Sequence, residues 1–277
     1  MDALRKSVIA GSWYPGDPVT LQGDINRYFQ NVPDRELPGD IAGLIAPHAG
    51  YLYSGQVAAH AYKLIRGKKY DAVILIGPSH RVAFRGVSIY SRGAYETPLG
   101  QVPVDENLAC EMMHHSTIIR DFPAAHAKEH ALEIQLPFLQ VALGNFFFVP
   151  LVMGDQNEAT CRELADVVSQ AARKHRILIV ASSDLSHFHP YREASELDGV
   201  VLQHIQDNDV EGLLKNLAHD KAEACGGGPM AVAMLAAQKL GAGHSLLLKY
   251  ANSGDVTGDK HSVVGYMSAV LYHSKKV

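Results

Sequence analysis

Two short runs in this chain, Ala72-Val73-Ile74-Leu75-Ile76 and Ile177-Leu178-Ile179-Val180, are apolar at every position. A strand with one wet face alternates apolar and polar residues, so a strand with no polar face must be covered on both sides. A buried helical fragment would also read as apolar throughout. The β-branched content and the close flanking punctuation favour strands instead. Further apolar runs alternate along the chain with stretches of helical periodicity. The expected fold class is therefore α/β, a mixed, largely parallel central sheet with helices on both faces.

The strands expected on this pattern are Ile41–Ala46, Ala72–Ile76, Gly86–Tyr90, Phe146–Val152, Ile177–Ala181, Ser245–Tyr250 and Val263–Leu271. The helices are Ser54–Ile65, Glu106–His115, Ala131–Leu143, Glu158–His175, Glu193–Gln206, Asp209–Leu217 and Pro229–Leu240. The last two strands are close in sequence and are expected to pair antiparallel at one side of the sheet, joined by a turn through Asn252-Ser253-Gly254-Asp255. A chain of 277 residues is long for one domain, but α/β folds reach this size undivided. No internal repeat or linker interrupts it, so residues 1–277 are expected to form one domain.

Apolar residues make up 47% of the chain and charged residues 19%, enough to bury a sizeable core. The formal net charge is -4 and no basic stripe is present, which argues against a nucleic-acid partner. The pairs Lys68-Lys69 and Lys275-Lys276 read as solvated surface charge. Met1-Asp2-Ala3-Leu4-Arg5-Lys6 lacks the apolar run of a secretory signal. Runs such as Phe146–Met153 are far shorter than the roughly 20 residues of a membrane helix. Cys110, Cys161 and Cys225 are odd in number and dispersed, which suits a reducing cytoplasm rather than a disulfide framework.

Histidine is the outlier, with 15 residues. Three expected strands run directly into loops that carry it. Ile41–Ala46 leads to Pro47-His48, Ala72–Ile76 to Gly77-Pro78-Ser79-His80, and Ile177–Ala181 to Ser182-Ser183-Asp184-Leu185-Ser186-His187-Phe188-His189. Ligands of open α/β sheets bind outside the carboxyl ends of the strands, so parallel neighbours would gather these imidazoles at one rim. A lone histidine after a strand is more often a capping or solvated residue. The shared strand-to-proline context of His48 and His80 favours function, and Asp184 stands three residues before His187, where it could orient it. His189, beside Pro190, reads equally well as surface, and His60, His114, His115, His175, His204, His219, His244, His261 and His273 read as structural or solvated. Imidazole suits iron, copper and zinc alike. No HExxH or paired-cysteine zinc motif is present.

Two further segments carry chemistry. In Lys128-Glu129-His130-Ala131-Leu132-Glu133 the two glutamates are four apart and would share a helical face. Glu129 and His130 could then hold ligands or substrate; a solvated stripe is the plain alternative. In Ala224-Cys225-Gly226-Gly227-Gly228-Pro229, a cysteine precedes an expected helix start, which can lower its pKa and yield a thiolate ligand or nucleophile. A small buried residue in a turn is the bland reading there.

Taken together, these motifs resemble the Memo family, including its bacterial AmmeMemoRadiSam system protein B type. The resemblance is carried by Gly11-Ser12-Trp13-Tyr14-Pro15-Gly16, Ala46-Pro47-His48-Ala49-Gly50-Tyr51-Leu52-Tyr53-Ser54-Gly55, Gly77-Pro78-Ser79-His80, Glu129-His130-Ala131-Leu132-Glu133, Ser182-Ser183-Asp184-Leu185-Ser186-His187 and Ala224-Cys225-Gly226, and it spans nearly the whole chain. It implies a fold like that of class III extradiol dioxygenases, in which two histidines and a glutamate bind ferrous iron. On that pattern His48 and His80 are the histidine ligands and His187 is the acid/base histidine. Cys225 takes the place of the glutamate. A thiolate is softer and shifts preference toward copper(I) or zinc.

The expected cofactor is thus a divalent or redox metal, iron foremost, with copper or zinc as alternatives, held by His48, His80 and Cys225. Asp184, His187, His130 and Glu129 would serve proton transfer or complete the site, and the expected function is redox or oxygen-dependent chemistry on a small molecule. Two alternatives stand beside it. One is a metal-independent enzyme with Cys225 as nucleophile, His187 as base and Asp184 as orienter. The other is an inactive pocket that binds a peptide or partner along Trp13, Tyr14, Tyr51 and Tyr53.

Overall fold

The computed structural model describes residues 3–274, so the Lys275-Lys276 pair lies outside the described residues. The N-terminal strand β1 (Leu4–Arg5) precedes α1 (Pro18–Gln30), whose first turn is capped by Asp17. Strand β2 (Ile41–Ala46) leads into α2 (Tyr51–Tyr62), and then come β3 (Ala72–Pro78), β4 (Val87–Ile89), β5 (Ala94–Thr97) and β6 (Gly100–Pro103). After α3 (Glu106–His114), β7 (Ile119–Asp121) and α4 (Pro123–His126), α5 (Leu136–Leu143) leads to β8 (Phe148–Met153). The second half runs α6 (Glu158–Lys174), β9 (Ile177–Ser182), β10 (His187–His189), α7 (Tyr191–Gln206), α8 (Val210–Ala218) and α9 (Gly227–Lys239). It ends with β11 (His244–Asn252), α10 (Ser253–Thr257) and β12 (Val263–Tyr272).

The main sheet has nine strands in the order β10-β12-β2-β9-β3-β8-β4-β7, with β11 on the other edge of β12. Its centre, β2-β9-β3-β8, is parallel. Every residue of these four strands is buried, as their apolar sequences require, with Ser182 at the end of β9 the one polar side chain among them. One layer of helices contains α1, α2 and α5; the other contains α6 and α9, with α8 against α9 and α7 over β11 and β12. Helix α9 is apolar on all sides (GGPMAVAMLAA) because it lies between the sheet and α6.

Topology sets the location of the site. Strand β2 reaches β3 by passing over β9 through α2, and β8 returns to β9 by passing over β3 through α6. The two crossovers run in opposite directions on opposite faces. The loops at the carboxyl ends of β2, β9 and β3 are therefore left to converge in the crevice between them.

Several expectations needed correction. A second, three-stranded sheet, β1-β5-β6, and helix α1 escaped the sequence reading. The turn expected at 252–255 opens helix α10, closed by a reciprocal cap between Asn252 and Asp255. The helix expected over 131–143 begins as a short 3-10 turn at Glu133–Gln135 and becomes α-helical only at Leu136, because 127–132 is held as turns by buried side-chain bonds that a helix could not make. Glu129 and Glu133 consequently do not share a helical face.

Candidate metal centre

His48 is buried at the end of β2. Its backbone N–H donates to Asp184 Oδ1 at 2.7 Å, and its ring Nδ1 faces Ser182 Oγ at 3.0 Å. The Ser182 hydroxyl already donates to Ala131 O at 2.6 Å and accepts from Gln135 Nε2 at 2.7 Å. Its remaining lone pair can only accept, so His48 carries its proton on Nδ1 and presents the lone pair of Nε2. Cys225 Sγ lies 3.1 Å from that Nε2.

His80, at the end of β3, is set in the same way by a different group. Its Nδ1 is 2.9 Å from Glu129 Oε1, and its backbone N–H donates to Glu129 Oε2 at 2.6 Å. An ionised carboxylate only accepts, which fixes the proton on Nδ1 and frees Nε2. Glu129 Oε1 also accepts the N–H groups of His130 and Ala131, each at 2.9 Å. Although burial opposes its ionisation, the His80 contacts and the backbone donors win and bring its pKa down to about 2.

Cys225 arrives from the opposite layer, one residue before the N-cap of α9. Gly226 makes the approach possible. A Cβ there would meet Ser182 O at 2.3 Å and Ser183 Cβ at 2.7 Å, and its N–H donates to Ser183 Oγ at 2.9 Å. The Asp184 N–H donates to Cys225 Sγ at 3.3 Å. Burial, with the Asp184 carboxyl beside it, pushes the thiol strongly up in the metal-free protein. That corrects the expectation of a lowered value from the helix start: desolvation outweighs the helix dipole here.

One donor atom from each of His48, His80 and Cys225 lies within 4.8 Å of the other two. Tetrahedral bonds of 2.0–2.3 Å place ligand atoms roughly 3.5 Å apart, so small side-chain shifts suffice to close the set on one ion. Two imidazole lone pairs and one thiol, with both tautomers already selected, fit a metal of intermediate to soft character.

The other expected residues divide. His130 is buried, stacks on His80 with ring centroids 4.5 Å apart and has Trp13 at 4.5 Å. Its Nδ1 has no hydrogen-bond partner. Burial and the nearby His48 ring bring its pKa down to about 3. Asp184 makes no hydrogen bond to His187. It grips the His48 loop instead, with Oδ2 4.0 Å from His48 Nε2, and burial raises its pKa to about 6. His187 lines the cavity from the start of β10. His189 pairs with Glu223 and Glu193 at the surface. Glu133 turns away from the centre and accepts from Arg5, Ser7, Val8, Ile9 and Tyr14.

A cavity of about 620 Å³ opens over these histidines. Trp13, Leu52, Tyr53, Val264 and Tyr266 form much of its wall, with no lysine or arginine among the lining residues. Tyr14 and Tyr51, expected beside Trp13 in a groove, are core residues. Ser182, Gln135 and Tyr266 were not singled out from sequence. Ser182 ends a strand beside the Asp184 loop, a usable signal; the other two had none.

Residues 5–270 match the family described as Memo-like protein. The chain belongs to the Memo family. It is 38% identical to a MEMO1 family protein of Methanosarcina mazei, covering 97% of this chain and 99% of that one. A MEMO1 family protein of Nitrosopumilus maritimus is likewise 38% identical, over 95% of this chain and 98% of its own. The fold resembles that of an uncharacterized protein from Escherichia coli K12, with a TM-score of 0.58 at 15% identity, covering 84% of this chain and all of that one. Among the described residues no helix is long and apolar enough to cross a membrane.

Proposed function

We propose that this Memo family chain is a single-domain metal-binding protein whose centre is His48, His80 and Cys225. Iron is the first candidate ion and copper the next, and the reaction is redox or oxygen-dependent chemistry on a small molecule. The observation that carries the proposal is the double tautomer selection. Ser182 and Glu129 each hold an imidazole with Nδ1 protonated, leaving two Nε2 lone pairs beside one thiol.

A redox ion bound there supplies electron transfer and Lewis-acid polarisation of a substrate oxygen. The chain does the rest. Trp13, Tyr53 and Tyr266 form a wall suited to a planar substrate. His187 faces the cavity from β10 and serves as the proton donor or acceptor for the substrate. Asp184 holds the His48 backbone and stands ready to share a proton near neutral pH.

The test is anaerobic purification with elemental analysis of the parent, His48→Ala, His80→Ala and Cys225→Ser. The expected result is metal in the parent and little in the three variants; equal metal in all four rejects the proposal. Oxygen uptake with a panel of catechols then tests the reaction. A metal-independent nucleophile is disfavoured, since the Cys225 thiol is pushed up and its imidazole neighbour is His48. Exposed Leu52 beside Trp13 and Tyr53 at the mouth favours peptide binding as a second reading. On that reading Trp13→Ala loses a bound peptide and keeps its metal.

A further inference from the structure

A polar network outside the centre holds the segment that orients His80. The side chain of Arg5, on the short strand β1, is buried and reaches three points of residues 126–133. Its Nε donates to His126 O at 3.0 Å and one Nη to Glu129 O at 2.5 Å, while the other Nη pairs with the Glu133 carboxylate. The guanidinium also lies over the Tyr95 ring, 4.8 Å from its centroid.

His126 completes the clamp. Ser88 Oγ donates to Phe122 O at 2.8 Å, so it accepts from His126 Nε2 at 3.0 Å, and His126 Nδ1 accepts from Tyr95 Oη at 2.7 Å. Each side-chain polar atom of this network therefore has a partner, and a buried network fully satisfied in this way is rigid. The beginning, middle and end of the segment are fixed by one cation. The middle point is Glu129, whose carboxylate holds both the backbone and the ring of His80.

We infer that Arg5 is a positioning residue for the metal centre, acting on His80 through Glu129 from a strand outside the main sheet. This rests on the proposed metal reading, but its first consequence is visible without metal. Arg5 fixes the carbonyl of Glu129, hence the carboxylate, hence the proton on His80 Nδ1. Partners that orient a ligand typically change metal affinity 10- to 100-fold, and one layer further out the expected loss is about tenfold.

The experiment uses Arg5→Lys, which keeps a cation beside Glu133 and cannot make all three contacts. Lys6→Ala, which removes an exposed pair with Glu96 from the residue just after β1, is the control. Two readouts are taken on the full chain: the ¹⁵N–¹H signal of His80 Nδ1 in metal-free protein, and cobalt(II) affinity followed by thiolate-to-metal absorption. The inference predicts that Arg5→Lys loses or shifts the His80 signal and weakens cobalt binding about tenfold, while Lys6→Ala changes neither. An unchanged His80 signal with unchanged cobalt affinity overturns it, as does an equal effect from Lys6→Ala. If the parent takes up no cobalt, the metal reading falls and the His80 signal alone decides the role of Arg5. Should Arg5→Lys fail to fold, Arg5→Met/Glu133→Gln removes the buried charge pair while leaving an acceptor for Val8, Ile9 and Tyr14, and is judged by the same readouts.

Discussion

Cys225 shows how one residue can carry opposite values before and after its neighbours are known. Its position ahead of a helix favours thiolate, yet burial beside Asp184 favours thiol, and burial is the larger effect. On the proposed function, a metal bound at Cys225 must displace the thiol proton, so affinity should fall as pH falls. Calorimetric titration in two buffers of different ionisation enthalpy should reveal that release; heats independent of the buffer would show that no proton leaves. Glu129→Gln keeps the shape of the side chain but loses the anion that selects the His80 tautomer. It should weaken metal binding about 10- to 100-fold with little change in fold, checked by cobalt titration and circular dichroism.

Among the elements, the start of α9 is a close junction that bears directly on the centre. Gly226→Ala would drive a methyl into the Ser182 carbonyl, and backbone cannot yield as a side chain does. We expect a loss of about 1–3 kcal/mol in urea unfolding, with metal binding reduced beyond that loss as Cys225 is displaced. Gly199 in α7 is the opposite case, since an added Cβ there meets nothing within 4 Å. Gly199→Ala should stabilise by about 0.5–1 kcal/mol through helix propensity alone, measured in the same assay. The 126–135 segment explains why helix periodicity failed locally. Its apolar pattern is helical, but Glu129 accepts from the backbone of His80 and Glu133 from that of Val8 and Ile9, and those buried bonds outweigh propensity.

For the whole molecule, buried neutral histidines set the response to acid. His126 is not one of the proposed ligands but sits in the Tyr95–Ser88 network, and burial brings its pKa from 6.5 to about 3. Between those values the unfolded chain takes up a proton that the folded chain refuses. Stability from this group is therefore complete above pH 6.5 and falls as pH drops toward about 3. His48 and His130, also brought down to about 3, act in the same direction. Urea midpoints should decline across this window, and His126→Gln should flatten the decline while lowering stability at neutral pH. A slope unchanged in His126→Gln would show that His126 contributes nothing to it. If the centre binds metal, added ion should raise Tm with rising concentration, and Cys225→Ser should abolish most of that rise.

The two-sided burial of the central strands follows from their residues alone, because an apolar strand has no face to give to water. The sequence also determined which loops carry histidine, because strand ends are punctuated by Pro47, Gly77 and Pro78. Family membership was legible in the ordered motifs. The tertiary structure alone decided that β9 lies between β2 and β3, bringing the three loops together. It decided too that Asp184 serves His48, that Glu129 serves His80, and that Arg5 and Ser182 stand behind them. Those are contacts between residues 49 to 136 positions apart. Local periodicity records which face of an element is buried, but a hydrogen bond across the fold depends on where two separate elements are brought, and no local pattern encodes that.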